Sequence, residues 1–305
     1  MASSHPLSAA ALFSLKGYVA VVTGGGTGVG LMIAQTLATN GAKVYITGRR
    51  ADVLGTSARV HGSKEKLGPD GGSIVPITMD VTSKDGIKSV VAEIKKKDGF
   101  VNVLVNNAGV WGGRPTERPQ DGPEAFSEAM LAESKEDNWQ KSFEVNVTSQ
   151  YFVTAAFLPL LAKAKSGPTG KLGTVINNSS AASFLRLSQN CQFSYNASKA
   201  AFTHLTRQMA FEFSHEKIDI RVNGLALGYF PSEMTTGGSN ESNESAPWDE
   251  HFAKFMKDMG IPKVKRMGTA EELASVVLML ATNEFMWGTI TIVDGGFSLT
   301  TPGNM

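Results

Sequence analysis

Short apolar runs alternate along the chain with longer stretches of mixed polarity. The runs are continuous rather than alternating, which is typical of strands buried on both faces of a parallel sheet. Glycine and proline mark the ends of the longer stretches, as they do at the ends of helices. The predicted strands are 18–22, 43–47, 73–78, 101–105, 172–178, 218–223 and 289–293, and the main predicted helices are 31–40, 137–163, 192–215, 248–259 and 271–282.

Strands that alternate with helices in this way predict an α/β fold. We expect a single-domain, Rossmann-type doubly wound parallel sheet of about seven strands with helices on both faces. The expected division is an N-terminal arm at 1–16, the α/β domain at 17–299 and a tail at 300–305. Within the domain, we expect a lid over the site at about 231–262.

Two polar segments are expected to lie outside the packed core. Residues 111–136 contain prolines and glycines, and we expect them to form a long loop at the rim of a substrate mouth. Residues 235–246 are rich in serine, glycine, asparagine and glutamate, a composition that predicts a mobile segment.

The charge balance argues against a strongly charged partner. The chain has 29 Lys+Arg against 28 Asp+Glu, which gives no electrostatic drive toward nucleic acid or an anionic membrane. The single cysteine, Cys191, excludes an internal disulfide and favours a reducing compartment. No apolar run reaches membrane-spanning length and the histidines lack metal-ligand spacing, so we expect a cytoplasmic protein with no metal site.

A glycine-rich turn, Thr-Gly-Gly-Gly-Thr-Gly-Val-Gly at 23–30, joins the first strand to the first helix. Glycines let the backbone approach a pyrophosphate closely, and the start of a helix supplies oriented N–H groups. The position between strand and helix is the one that a dinucleotide site requires. The alternative interpretation is a merely flexible turn.

Arg49 and Arg50 follow the second strand, where an acidic residue would bind the adenosine ribose hydroxyls of NAD. Guanidinium groups suit a 2′-phosphate by charge and by bidentate geometry. The pair therefore favours NADP(H), although one or both arginines could simply be solvated.

Polar residues also follow the third and fourth strands. Asp80 could hold an adenine amino group or could help to start the next helix. Asn106-Asn107-Ala108-Gly109 could satisfy backbone groups where a strand separates from its neighbour to admit a ligand, or could form a plain Asn-Gly turn.

Tyr195 and Lys199 lie four residues apart in a predicted helix. That spacing places them on one face, about one turn from each other. A neighbouring ammonium favours the phenolate and lowers the pKa of a tyrosine, which would let it exchange a proton near neutral pH. Such pairs are common on helix surfaces, so the pair gains meaning only from the other motifs.

Together, in this order and spacing, the motifs resemble the classical short-chain dehydrogenase/reductase family over about residues 17–297. The glycine turn is similar to the family's T-G-x-x-x-G-x-G, and 106–109 is similar to its N-N-A-G. The resemblance implies a nicotinamide cofactor, with Arg49 at the position that selects NADP(H) and Asp80 and Val81 against the adenine. The cofactor contacts that we expect are Thr23, Gly24, Gly26, Thr27, Gly28, Val29, Gly30, Arg49, Arg50, Asp80, Val81, Asn106, Asn107, Ala108, Gly109, Tyr195, Lys199, Gly228, Phe230 and Ser232.

The resemblance also implies four catalytic residues. Asn146 matches the asparagine that interrupts its helix and anchors a proton-relay water. Ser180 matches the serine that polarises the substrate oxygen, and small residues after it favour it over Ser179. Tyr195 is the matching acid/base, and Lys199 binds the nicotinamide ribose and tunes Tyr195.

Two departures from the family pattern stand out. Leu227 replaces a usual proline after the sixth strand, which puts the loop geometry there in doubt. The stretch between Ser180 and Tyr195 is about two residues longer than usual, so the loop at 186–191 is expected to differ in shape.

We expect an NADPH-dependent carbonyl reductase or alcohol dehydrogenase for a bulky, apolar small molecule. The segments that could line a mouth carry Trp111, Phe184, Tyr229, Phe230, Trp248, Phe252, Phe255 and Met256. One alternative is non-redox chemistry in the same fold, as an isomerase, dehydratase or cyclase; another is a cofactor-binding scaffold without catalysis. By resemblance, the protein is expected to form a homodimer or homotetramer.

Overall fold

A single parallel sheet dominates the part of the chain that the computed structural model describes, residues 5–258 and 264–300. Its seven strands in that part follow the order β3-β2-β1-β4-β5-β6-β7, and the predicted fold is confirmed. The strands are β1 Val19–Thr23, β2 Lys43–Gly48, β3 Ser73–Thr78, β4 Val103–Asn106, β5 Thr174–Asn178, β6 Arg221–Leu227 and β7 Ile290–Val293.

The strand order reverses between β1 and β4. The chain winds outward from β1 to β3, returns to pair β4 with β1, and then winds outward again to β7. Loops that leave the carboxyl ends of β1 and β4 therefore run in opposite directions. A crevice opens between such loops, and ligands of open α/β sheets bind there.

Helices cover both faces of this sheet. The longer ones are α1 Gly28–Thr39, α2 Ala51–His61, α3 Lys84–Lys97, α4 Pro123–Leu131, α5 Ser149–Ala162, α6 Phe193–Phe213, α7 Asp249–Asp258 and α8 Ala270–Thr282. Short helical turns are Ala9–Leu12, Lys64–Leu67, Pro119–Asp121, Lys135–Gln140, Lys141–Phe143, Glu144–Thr148, Ala164–Ser166, Ala181–Ser183, Glu233–Thr236 and Phe297–Thr300.

Alternate residues of β1 enter two different cores. Ala20 and Val22 pack with the α1 and α8 face, whereas Val19 and Val21 pack with the α3 and α5 face. All five residues of β1 are buried, as a central parallel strand requires. Burying each large apolar side chain contributes about 1.5–3 kcal/mol, so β1 is a rigid support for the turn that follows it.

The structure moves the sixth strand toward the carboxyl side. We predicted 218–223, but β6 runs from Arg221 to Leu227, and Leu227 pairs with Val293 of β7. Gly224 lets the strand continue, because a side chain there would overlap Ile290 of β7. The strand register therefore holds Leu227 in place where a proline was expected.

The two polar segments are more ordered than their composition predicts. The expected loop at 111–136 contains helix α4, which begins with Pro123, a residue favoured at the first helical position. The expected mobile segment at 235–246 is anchored on α2: Asn243 donates to the carbonyl of Val53 at 2.9 Å and to the hydroxyl of Ser57 at 2.7 Å.

The helix at 135–166 is long and apolar enough to cross a membrane by length and composition alone, which the sequence pattern did not predict. Its inner face packs on the sheet instead, with Val153, Phe157 and Leu161 fully buried. Buried core helices of soluble proteins can have the same length and apolar composition.

Candidate active site

Glycines shape the turn between β1 and α1. Gly24 and Gly28 have positive φ angles of 64° and 51°, a region that side-chain-bearing residues rarely adopt. A Cβ on Gly30 would overlap the carbonyl oxygen of Gly24, and one on Gly28 would lie 2.7 Å from the Cβ of Ser232. The Thr27 side chain does not cap α1, so the first N–H groups of that helix can bind an anion.

Asn107 fastens the end of β4 to the end of β1. Its backbone N–H and that of Ala108 donate to the Thr23 hydroxyl at 2.9 and 3.0 Å. Its side-chain amide donates to the carbonyls of Thr23 and Gly24 at 2.9 and 3.2 Å. These contacts satisfy backbone groups where β1 and β4 separate, so the crevice opens without unpaired carbonyls.

Asn106 lies below the crevice rather than in it. Its side-chain amide donates to the Thr154 hydroxyl at 2.7 Å and to the Asn177 carbonyl oxygen at 2.8 Å. The side chain is 1% exposed. Its contribution is therefore to hold β4, β5 and α5 together.

Two adjoining cavities run along the carboxyl edge of the sheet, with volumes of about 540 and 200 Å³. That size suits a cofactor, since ligand sites occupy about 300–1,000 Å³. Predicted residues that line the larger cavity are Gly24, Gly26, Arg49, Arg50, Asp80, Val81, Ala108 and Gly109. Predicted residues that line the smaller one are Gly24, Thr27, Gly28, Val29, Gly30, Asn107, Ala108, Gly109, Ser180, Tyr195, Lys199, Gly228, Phe230 and Ser232.

Asp80 lies at the crevice just before α3, whose N-cap is Ser83. It lines the larger cavity, and its carboxylate accepts from the N–H and hydroxyl of Thr82 at 2.9 and 2.8 Å just before α3. The bond from the Thr82 backbone is the main reason that the pKa of Asp80 is lowered, and the nearby Arg49 charge adds to it. Asp80 therefore stays ionised beside Arg49.

The two arginines after β2 differ in their surroundings. Both line the larger cavity. Arg50 makes a two-point ion pair with Glu233, with Nη2–Oε2 and Nη1–Oε1 distances of 2.7 and 3.2 Å. Arg49 is exposed at the cavity rim beside Asp80.

Asn146 lies in a π-helical turn, Glu144–Thr148, that interrupts the helix leading into α5. Its side chain is fully engaged with neighbouring segments. The oxygen accepts from the Val110 N–H at 2.8 Å, and the nitrogen donates to the Val110 carbonyl and the Ser198 hydroxyl, both at 3.0 Å. Asn146 thus ties the segment after β4 to helix α6, one residue from Lys199.

The two candidate serines have different partners. The hydroxyl of Ser179 is 2.5 Å from that of Thr203 and donates to the carbonyl of Lys199 at 3.1 Å, so it fastens α6 to the end of β5. The hydroxyl of Ser180 accepts from the Ala182 N–H at 3.2 Å, and Ser180 lines both the cofactor crevice and a third cavity, as Tyr195 does. This contrast favours Ser180 as the residue that meets a substrate oxygen.

Tyr195 and Lys199 share the inner face of α6, with the lysine Nζ 5.8 Å from the centre of the phenol ring. Burial raises the pKa of Tyr195, and the Ser180 hydrogen bond partly offsets that rise. Burial lowers the pKa of Lys199 to about 8, and its Nζ donates to the Asn178 carbonyl at 3.0 Å. Burial is therefore the main effect on the pKa of the phenol, and acidification of Tyr195 by Lys199 stays a prediction.

A third cavity, of about 370 Å³, opens next to Ser180 and Tyr195. Its walls include five of the aromatic residues expected at a substrate mouth: Trp111, Tyr229, Trp248, Phe252 and Phe255. Met256 is instead fully buried on the inner side of α7, and Phe230 lines the smaller cofactor cavity. Phe184 is half-buried and is not among the lining residues.

Gln189 is a wall residue that the sequence did not reveal. It begins a run of three residues with positive φ, Gln189, Asn190 and Cys191, in the loop that is longer than usual. Its amide nitrogen donates to the Tyr229 hydroxyl at 3.0 Å. Backbone strain of this kind persists where the surrounding structure requires it, and here it turns Gln189 toward the cavity.

The crevice fits a nicotinamide dinucleotide. Its glycine turn has no room for side chains, an uncapped helix start faces the smaller cavity, and two arginines line the far end. Among residues 5–258 and 264–300, by contrast, no group of three His, Cys, Asp or Glu side chains could hold a metal ion.

Known proteins are similar to this chain in sequence and in fold. A family model described as short chain dehydrogenase matches residues 18–243. The short-chain dehydrogenase/reductase PhomF of Diaporthe leptostromiformis is 39% identical over 308 residues, 98% of this chain and 97% of that protein. The RhlG/NADP active-site complex of Pseudomonas aeruginosa superposes with a TM-score of 0.73 at 30% identity, over 97% and 100% of the two chains.

A third similar protein was solved with NADH, the unphosphorylated cofactor. A 7α-hydroxysteroid dehydrogenase in complex with NADH and 7-oxo glycochenodeoxycholic acid has a TM-score of 0.70 at 27% identity, over 93% of this chain and 95% of that one. The chain described here belongs to the short-chain dehydrogenase/reductase family. It is therefore an oxidoreductase that uses a nicotinamide cofactor.

Proposed function

We propose that the protein is an NADPH-dependent carbonyl reductase for a bulky, largely apolar ketone. The observation that carries the proposal is the placement of Ser180 and Tyr195, which both line the cofactor crevice and the aromatic cavity beside it. Arg49 at the end of β2 supports the phosphorylated cofactor, and the NADP complex of the similar Pseudomonas protein agrees with it.

The nicotinamide group supplies the hydride in such a reaction. The residues of this chain bind the substrate and manage the proton. Ser180 donates a hydrogen bond to the carbonyl oxygen, where negative charge develops. Tyr195 then transfers its phenolic proton to that oxygen. The raised pKa of Tyr195 keeps the proton on the hydroxyl at neutral pH, which is the form that a reduction needs.

Lys199 and Asn146 support the proton donor. With a pKa near 8, Lys199 remains largely protonated at neutral pH and can bind a ribose hydroxyl. Its contact with the Asn178 carbonyl sets its position. We propose that Asn146, with a water molecule, connects Lys199 to solvent so that the proton lost by Tyr195 is replaced.

The aromatic cavity supports the substrate class. Tyr229 makes edge-to-face contacts with Phe252 and Phe255, with ring centres 5.5 and 6.0 Å apart. Such walls stabilise flat or apolar groups through area burial and ring contacts. A small polar sugar would leave these rings exposed to water and would gain little from them.

The proposal is tested by following NADPH absorbance with a panel of ketones, quinones and keto-esters graded by apolar area. We expect stoichiometric NADPH consumption with kcat/KM rising from small polar carbonyls to bicyclic aromatic ketones. Binding of NADPH without consumption, together with isomerised or dehydrated products, would instead establish non-redox chemistry.

Arg49→Ala tests the cofactor preference separately. Loss of a charge-assisted contact to a phosphate removes about 1.5–3 kcal/mol, so we expect NADPH to bind about 10- to 100-fold more weakly while NADH binding changes little. Isothermal titration of both cofactors measures this. Arg59→Ala is the matched control, since it removes the same charge from an exposed site on α2. Equal weakening of NADPH and NADH in Arg49→Ala would contradict the assignment.

A further inference from the structure

Glu233 is an acidic residue that lines the cofactor crevice and contacts Arg50. It follows β6 and lines the smaller cavity, whereas its partner Arg50 follows β2 and lines the larger one. In the sheet, β1, β4 and β5 separate β2 from β6. The ion pair therefore joins the segment after β6 to the segment after β2, although three strands separate β6 from β2 in the sheet.

Further contacts fix the Glu233 carboxylate in this position. The Ser239 hydroxyl donates to it at 2.9 Å, and Thr27 at the start of α1 lines the same cavity. Arg50 is the main cause of the lowered pKa of Glu233, so the carboxylate is charged. A carboxylate at this place presents to Arg50 and to the start of α1 the same kind of oxygens that a phosphate would present.

We propose that Glu233 competes with the adenosine 2′-phosphate for Arg50 and thereby limits how strongly the site prefers phosphorylated over unphosphorylated dinucleotides. The inference rests on the proposed NADP(H) preference. It adds that Glu233, which does not itself bind the cofactor phosphate, helps to set the strength of that preference. Arg50 has one guanidinium, and both of its NH₂ groups are engaged by Glu233. A 2′-phosphate gains Arg50 only when that pair opens.

The pair is weak enough to open. Its side chains are 56% and 33% exposed, and ion pairs of that exposure contribute only about 0.2–1 kcal/mol. The two-point geometry favours the upper end of that range. Competition of this size changes affinity by a few fold, so Glu233 adjusts the cofactor preference and does not block binding.

The proposal concerns Arg50 and not the neighbouring Arg49, because the two arginines have different partners. Arg49 lies near Asp80, whose carboxylate accepts from Thr82, whereas Arg50 is bound by the carboxylate of Glu233. Removing the Glu233 charge should therefore act through Arg50. In a variant that also lacks Arg50, removing Glu233 should have no further effect on the contribution of the 2′-phosphate.

The test uses two fragments of the cofactor that differ only in this phosphate. Adenosine 2′,5′-bisphosphate and 5′-AMP are titrated calorimetrically into the parent protein and Glu233→Gln. We expect the variant to bind the bisphosphate about three- to fivefold more tightly. Binding of 5′-AMP, which cannot use Arg50 in this way, should improve less than twofold. Glu241→Gln is the control, because it removes the same charge from an exposed position of the same segment.

Each other outcome has a defined meaning. Equal tightening of both fragments would show that Glu233 acts only on the shared 5′-phosphate, and unchanged or weaker bisphosphate binding would show that it does not compete; both overturn the proposal. Double variant Arg50→Ala/Glu233→Gln should bind the bisphosphate no more tightly than Arg50→Ala alone. If the parent protein itself does not prefer the bisphosphate to 5′-AMP, the proposed NADP(H) preference is what has failed.

Discussion

Tyr195→Phe is expected to lower the turnover of a ketone substrate by about a thousandfold, within the 10²–10⁴ range of general acid catalysis. The substitution removes the phenolic hydroxyl and leaves the aromatic ring in place on α6. Binding of the cofactor should persist, because the glycine turn and the arginines are untouched. Steady-state kinetics gives the turnover number, and calorimetric titration with NADPH gives the affinity.

A second buried phenol supplies the control. Tyr229 lines the same cavity, and burial raises its pKa to about 12. Tyr229→Phe removes one hydroxyl and its bond from Gln189, so we expect a change of KM of less than about tenfold and a small change of kcat. Comparable losses of kcat in the two variants would show that Tyr195 is not the proton donor.

Motifs whose residues lie within a few positions of each other could be predicted from the sequence. Tyr195 and Lys199 are one helical turn apart, and the turn at 23–30 lies between adjacent elements, so each motif is complete within a few residues. The same holds for the number and order of the strands, whose apolar runs are self-contained, although the sixth strand runs four residues farther than predicted. The structure places these local groups together because parallel strands bring their carboxyl ends to one edge.

Contacts between distant positions could not be predicted in this way. Arg50 and Glu233 are separated by 183 positions. Asn243 and Ser57, whose hydrogen bond anchors the segment 235–246, are separated by 186 positions. In both cases the sequence shows that the segment is polar, but it does not show which distant residue the segment binds. Composition describes what a segment could do in water, whereas its order depends on the surface on which it packs.

One missed element had a local signal. Helix α4 begins at Pro123 and continues through residues that favour helices, so the loop expected at 111–136 should have been divided. Gln189 is a different case. Its position depends on three successive positive φ angles at residues that are not glycine, and local sequence preference argues against such a conformation.

Gly30→Ala is expected to weaken both the fold and the cofactor site. The added Cβ would overlap the Gly24 carbonyl and lie 2.5 Å from the Asn107 amide nitrogen. Neither group can move freely, because Asn107 is held by Thr23. Overpacking of this kind costs about 1–3 kcal/mol, and we expect the apparent Tm to fall by about 2–5 °C.

The same strain should disturb the glycine turn itself, so we expect NADPH affinity to fall by at least about tenfold. Thermal melts and calorimetric titration measure the two effects. Gly55→Ala is the matched control: it lies inside α2, and a Cβ there would have nothing within 4 Å. That variant should bind NADPH normally and melt at the same temperature or slightly higher, since alanine favours a helix over glycine by about 0.5–1 kcal/mol. If Gly30→Ala melts and binds NADPH like Gly55→Ala, the close approach of α1 to the Gly24 carbonyl does not constrain the site.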